Sequence, residues 1–310
     1  MRTLFLPHAE VVQRLDALSL LAPMREGFIA HSRGRTAPGL VQATSLPAGG
    51  IARVTGVGLV PDLPAYSVSS AATSPDGVEQ ATLLLHDLAT GKLLACLEAV
   101  HLRAIALALG IAIAADVLAR PEASRVAVLG TSDGTLRFLK MLRLVRSLRQ
   151  IRVLEPRPAR AEEVAGRAYR ELSLPVRVSQ DVEDAVQDAE LVLVTARAAG
   201  MAPLETVPEG CHVAVVDPAL RDSVPAAGLL SESLRRRARV VVDDRSIARE
   251  AGWAESEIDA ELGEVLAEPL VRTATEVTVT SRWGFRSRSC SRRARCSTAR
   301  ARTRSCPGWS

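Results

Sequence analysis

The chain has 310 residues, 47% of them hydrophobic, with 39 basic and 35 acidic side chains and a formal net charge of +4. Nine arginines and no acid lie between Ser281 and Ser310, so the first 280 residues carry 30 basic against 35 acidic groups, a net of −5. A mildly acidic body with 3% aromatics argues against a nucleic-acid surface, and no apolar run approaches the ~18 residues that span a bilayer.

This length suits roughly two domains. The longest apolar run, Ile105–Val117, is short and interrupted by Asp116, so no membrane partner is expected. Met1–Pro7 leads directly into a polar amphipathic pattern rather than a secretory signal, and a cytoplasmic protein is expected. Of five cysteines, Cys290, Cys296 and Cys306 lie in the arginine-rich tail, while Cys96 and Cys211 have apolar neighbours and read as reduced core residues. No metal site is expected from them.

In chain order, residues 3–6 read as a short strand. His8–Ala30 has helical periodicity broken near Pro23, which predicts two short helices. Gly39–Leu46, Ile51–Val60, Tyr66–Ala72, Val78–Asp87 and Leu93–Leu97 read as strands separated by Pro/Gly turns, an antiparallel sheet. Glu98–Ala119 is a long alanine-rich helix, and Arg120-Pro121 marks a domain boundary.

The apolar strand ending at Leu129 then runs into Gly130-Thr131-Ser132-Asp133-Gly134-Thr135 and a helical pattern over Leu136–Leu148. A helix N-terminus facing a strand end offers unpaired N–H groups to a pyrophosphate. The loop departs from G-x-G-x-x-G by carrying Ser132 at the second glycine. Gln150–Leu154 is the next strand, and it delivers Glu155 roughly 20–25 residues after the turn, where a carboxylate accepts ribose hydroxyls. Arg157 suits a 2′-phosphate instead, so NAD is the expected cofactor and NADP the alternative. Thr195 and Ala196, after a later strand, and Val216 complete the expected cofactor contacts.

Val126–Leu129, Ile151–Leu154, Val176–Val178, Leu191–Thr195, His212–Val216 and Val240–Val242 are short apolar strands, with Ala159–Leu172 and Val182–Asp188 as helices between them. This alternation predicts a doubly wound parallel sheet.

The order of Asp87-Leu-Ala-Thr-Gly91, the helix from His101 to Pro121, Val128-Leu-Gly-Thr131, Gly210-Cys-His-Val213 and Val240-Val-Val-Asp243 resembles the ornithine cyclodeaminase/mu-crystallin family. The resemblance implies an α/β fold, a Rossmann-type doubly wound parallel sheet inserted into an α+β dimerisation and substrate domain. It also implies a homodimer, a nicotinamide cofactor and a small-molecule substrate. The expected domains are residues 1–119, completed by part of 263–280, and residues 120–262.

The family's substrate residues are absent where the resemblance would put them. Cyclodeaminases of the family hold the α-carboxylate with an arginine, a lysine and a second arginine. Here Gly39–Leu46 has no arginine, Tyr66–Ala72 offers serines, and Ala106 occupies the helix position; the only lysines are Lys92 and Lys140. The family's catalytic aspartate falls at Ala219. Asp217, two residues earlier, is the candidate catalytic acid, and Arg103, one turn before Ala106, is the candidate replacement cation. His101 is a candidate proton donor, more readily explained as a structural residue.

The leading expectation is an NAD(P)-dependent oxidoreductase acting on an imine, amine or carbonyl in a specialised biosynthetic step. The alternatives are an amino-acid cyclodeaminase, which releases ammonia, and a homologue that binds cofactor or ligand without turnover. After Val279 the composition shifts abruptly, and residues 281–310 read as an aberrant Arg/Ser/Cys-rich tail, consistent with a frameshift.

Overall fold

The computed structural model describes residues 3–37, 41–46, 49–59, 63–76, 78–195, 201–217 and 226–283. The tail beyond Trp283 lies outside the described residues, as does Ala219.

Two sheets organise the chain. The first contains β1 (Leu4–Leu6), β2 (Val41–Ser45), β3 (Ile51–Leu59), β4 (Ala65–Thr73), β5 (Glu79–Asp87) and β6 (Leu93–Glu98), in the order β1-β6-β5-β4-β3-β2. Its pairings are antiparallel except β1 with β6. The period-2 alternation sends Ala71, Ala81, Leu83 and Leu97 to one face, where they pack with Ala99 and Val100 at the start of α3 (Val100–Leu118). The opposite face carries a row across four strands, Phe5, Cys96, Leu84 and Val68. Cys96 is therefore a half-buried residue on the outer face, not a core residue.

The N-terminal segment forms α1 (His8–Arg14) and α2 (Leu21–Ser32). The break between them precedes Pro23. Asp16 makes it, accepting the N–H groups of Leu18 and Ser19 at 3.2 Å each, whereas Pro23 sits in the first turn of α2, where no N–H is required.

The second sheet is wholly parallel and contains eight strands. In chain order the elements are β7 (Arg125–Leu129), α4 (Thr135–Leu142), β8 (Gln150–Leu154), α5 (Pro158–Leu172), β9 (Val176–Val178), α6 (Val182–Val186), β10 (Leu191–Thr195), β11 (His212–Asp217), α7 (Glu232–Arg237), β12 (Arg239–Val242), α8 (Arg245–Glu250), β13 (Ala260–Glu261), α9 (Leu262–Ala267) and β14 (Thr278–Trp283). Their spatial order is β13-β12-β14-β11-β10-β7-β8-β9. Helices cover both faces of such a sheet, so β7, β8, β10 and β11 are nearly continuous apolar runs. Winding reverses between β7 and β10, the crevice where α/β sheets bind ligands. β14 lies between β11 and β12, so this sheet is completed from beyond residue 262.

Two helices differ from the sequence pattern. α4 stops at Leu142 because the chain tightens into i→i−3 turns at Leu144 and Val145. That turn brings Arg146 onto α3, with Nη1 at 2.5 Å from the Asp116 carboxylate and Nη2 at 2.6 Å from the Asp116 carbonyl. α3 has 19 residues, long and apolar enough to cross a membrane by length and composition. Here it is a core helix instead: Ala108 to Ala115 are buried between the first sheet, α4 and β14.

Candidate cofactor and substrate site

Gly130 ends β7 in the left-handed region, φ +71°, and its N–H donates to the Leu154 carbonyl at 2.8 Å. A side chain there would be strained. The next residue turns into the protein: Thr131 donates its N–H and its hydroxyl to Glu155 Oε2, at 2.9 and 2.8 Å. Glu155 Oε1 accepts from Arg157 Nε at 2.7 Å. Burial would raise the Glu155 pKa, but the hydrogen bonds from Arg157 and Thr131 outweigh it and hold the carboxyl below its usual value. A carboxylate has about four acceptor positions, and these three donors leave one for an incoming hydroxyl.

The rest of the loop is braced by Thr135, whose hydroxyl accepts the Ser132 N–H at 2.9 Å. Gly134 allows the helix to start close to its own side chains, since a Cβ there would stand 3.3 Å from the Phe138 ring. Asp133 is exposed and pairs with Arg160 Nη2 at 2.5 Å, so an acid beside the loop is neutralised from α5. Thr195 ends β10 next to β7 and is paired in register with Val216 of β11; both are fully buried. The Thr195 hydroxyl has no hydrogen-bond partner among the described residues. A buried hydroxyl without a partner costs roughly 1–3 kcal/mol unless something supplies a bond.

The structure thus gathers residues 130–135, Glu155, Arg157, Thr195 and Val216 at one edge of the sheet. Asp217 ends β11 at that edge, but its side chain lies outside the description, and so does Ala196. Arg103 is elsewhere: its Nη2 pairs with Glu79 Oε1 at 3.2 Å, fastening α3 to β5. The Glu155–Thr131 contact was not read from the sequence, where Thr131 is only a variable position of the glycine motif.

At the top of α3 a second cluster forms. His8 Nδ1 lies 2.9 Å from Glu98 Oε2, and the His8 and His101 rings meet edge-on with centroids 6.0 Å apart. Desolvation lowers the His101 pKa, and Arg137 and His8 lower it further. No residue spacing marks this cluster, because its members come from α1, the end of β6, α3 and α4.

Residues 55–290 match the model of the ornithine cyclodeaminase/mu-crystallin family. The chain belongs to that family. It is 28% identical over 285 residues to the mouse (Mus musculus) ketimine reductase mu-crystallin, covering 85% of this chain and 86% of that protein. Among solved structures it resembles the Thermococcus litoralis Delta(1)-pyrroline-2-carboxylate reductase in complex with NADH and L-proline, with a TM-score of 0.76 at 19% identity, over 91% of this chain and 92% of that one. It also resembles an archaeal alanine dehydrogenase dimer with bound NAD, with a TM-score of 0.75 at 18% identity, over 92% and 91% of the two chains.

Proposed function

We propose that this protein is an NAD(P)-dependent oxidoreductase that reduces a C=N or C=O group of a small molecule held between the two sheets. The observation that carries this reading is the tie between Glu155 and Thr131 at the switch point, with the unpartnered Thr195 hydroxyl on the neighbouring strand end. These residues fit a dinucleotide: the loop 130–135 takes the pyrophosphate, Glu155 has one acceptor position left for a ribose hydroxyl, and Thr195 and Val216 wall the inner end. A nicotinamide cofactor supplies the hydride when bound. The chain's own part is to bind, orient and deliver a proton, for which Asp217 at the end of β11 is the candidate. Arg103, engaged with Glu79, positions α3 rather than touching substrate.

The reading of ligand binding without turnover is favoured by one feature, the loss of the helix cation at Ala106 with no transfer of that role to Arg103. Turnover assays on imines in the presence of NADH and NADPH separate the two.

The assembly belongs to the same reading. Phe5 and Cys96 of the outer row line a groove of about 560 Å³, and Phe5 is 66% exposed. A second copy of the sheet is the natural cover for such a face, giving a homodimer. We place the substrate and dimerisation domain at 1–119 and the cofactor domain in the segment after Ala119, completed by β14, in a cytoplasmic protein.

Titration of the protein with NADH and NADPH, followed by nicotinamide fluorescence, tests the proposal. Binding of either, weakened at least about tenfold in Glu155→Ala, is expected. Absence of binding of both cofactors overturns it.

A further inference from the structure

The loop proposed to take phosphates carries an acid of its own, and a cation from the following βα unit holds that acid. Asp133 stands at the fourth position of Gly130–Thr135, which the dinucleotide motif leaves open. Its side chain is 94% exposed, and its carboxylate meets Arg160 Nη2 at 2.5 Å. Arg160 lies in the first turn of α5, and the same guanidinium turns Nη1 back along the helix to Glu163 at 3.3 Å. Three residues before it, Arg157 holds Glu155 Oε1 at 2.7 Å. The Asp133–Arg160 pair is therefore a second tie between the loop after β7 and the segment after β8, next to the tie that Thr131 makes with Glu155.

Charge decides what this edge accepts. Asp133, Glu155 and Glu163 face Arg157, Arg160 and Arg167, three acids against three arginines. A ribose 2′-hydroxyl adds no charge to that balanced set. A 2′-phosphate adds about −1.5 to −2 at pH 7, so it needs a guanidinium released from an acid. Arg157 is a poor source, because its withdrawal takes a donor from a carboxylate only 2% exposed. Arg160 is the better one: Asp133 reaches it from the solvent side, and an ion pair with so exposed an acid is weak in water.

We propose that Asp133 is a cofactor-selecting residue: by occupying Arg160 it keeps the protein on dinucleotides with a bare ribose 2′-hydroxyl and discriminates against a 2′-phosphate. This inference rests on the cofactor reading above and goes beyond it, since there Glu155 alone meets the ribose. Asp133 acts through Arg160. With the acid neutralised, the planar fork of Arg160 is left to pair with a phosphate, and the preference moves toward the 2′-phosphorylated form.

The test is calorimetric titration of the full-length protein with ADP-ribose and 2′-phospho-ADP-ribose, which share the pyrophosphate and differ only at the 2′ position, and with NADH alongside. The wild type is expected to favour ADP-ribose. Asp133→Asn is expected to raise affinity for the 2′-phosphorylated probe, relative to the other, by about fivefold or more. Adding Arg160→Gln to Asp133→Asn is expected to abolish that gain, and thermal melting checks that each variant is folded. A wild type that prefers the 2′-phosphate overturns the inference, as does an unchanged ratio in Asp133→Asn or a gain that survives in the double variant. An equal rise for both probes also overturns it and assigns Asp133 to repulsion of the pyrophosphate. If the wild type binds neither probe nor NADH, the cofactor reading falls and takes the inference with it; NADH binding with an unchanged ratio removes the inference alone.

Discussion

Glu155 at the end of β8 accepts both the backbone N–H and the hydroxyl of Thr131, so the second strand of the nucleotide-binding sheet holds the loop that follows the first. This contact makes the proposed pyrophosphate loop and the proposed ribose acceptor one mechanical unit. Thr131→Val keeps the shape and removes the hydroxyl. It is expected to lower stability by about 1–2 kcal/mol, since a buried carboxylate loses a donor, and to weaken NADH as well. Denaturant unfolding and cofactor titration on the same preparation check both. Wild-type NADH affinity in this variant would break the proposed coupling.

His31 of α2 and Asp244, which caps α8, connect the two halves of the molecule at 3.0 Å. The Asp244 hydrogen bond raises the His31 pKa above its ordinary value of 6.5 despite the opposing effect of burial, with Glu261 and Asp243 adding to it. Burial would raise the Asp244 pKa, but the bonds from His31, Ser246 and the Ile247 N–H hold it well below the usual range. The histidine contribution is complete below the unfolded pKa near 6.5 and is lost as pH rises through the folded value. The aspartate contribution is present above the unfolded value near 3.8 and is lost on acidification through the folded one. Unfolding midpoints are therefore expected to fall as the pH rises from 6.5 through the raised His31 value, and His31→Gln to flatten that slope.

His212 has the opposite sign. It is 1% exposed, its Nδ1 faces the Thr278 hydroxyl at 2.9 Å, and that hydroxyl donates to the Leu118 carbonyl at 2.9 Å. Thr278 must then accept from Nδ1–H, which leaves Nε2 unprotonated and buried. Burial, aided by Arg272 and Arg146, pushes its pKa down to about 3. Stability is expected to decline as pH falls below about 6.5, with a limiting slope of about 1.4 kcal/mol per pH unit. In His212→Leu this component should vanish from the acid limb of a pH–stability curve; an unchanged limb would mean the ring is charged in the fold.

Gly263 at the start of α9 faces the backbone of α2, and a Cβ there would stand 2.0 Å from the Phe28 carbonyl oxygen. Backbone cannot move aside as a side-chain tip does. Gly263→Ala is expected to destabilise by at least about 1–3 kcal/mol by pushing α9 from α2. Thermal melting reads it, and a neutral result would show that the two helices separate freely.

The open face of the first sheet gives a test of assembly. Phe5→Asp changes an exposed side chain and should leave the monomer folded. Sedimentation is expected to show twice the chain mass for the wild type and one chain mass for the variant. A monomeric wild type would remove the homodimer from the proposed function.

Much of the fold was legible because its signals are local. The strands ending at Leu129, Leu154, Thr195 and Asp217 stand out as apolar runs, since a parallel sheet covered on both faces leaves no polar positions to interrupt them. Gly130 and Glu155 were legible from spacing. β14 was not: its pairing with β11 and β12 joins residue 278 to residues 212 and 239, and nothing near Thr278 in sequence announces that insertion. The helix break was misplaced for a related reason, because Pro23 is a strong punctuator in sequence whereas the Asp16 side chain closes the turn.

By itself the sequence determined the two-sheet plan, the glycine turn proposed to take the phosphates and the family to which the chain belongs. All of these follow from periodicity and from short, ordered motifs. Only the tertiary structure decided which charged groups remain available. Arg103 is taken by Glu79 across the α3–β5 contact, and Glu155 is largely taken by Thr131 and Arg157. Availability of a charge depends on neighbours brought from distant parts of the chain, and a linear pattern carries no record of them.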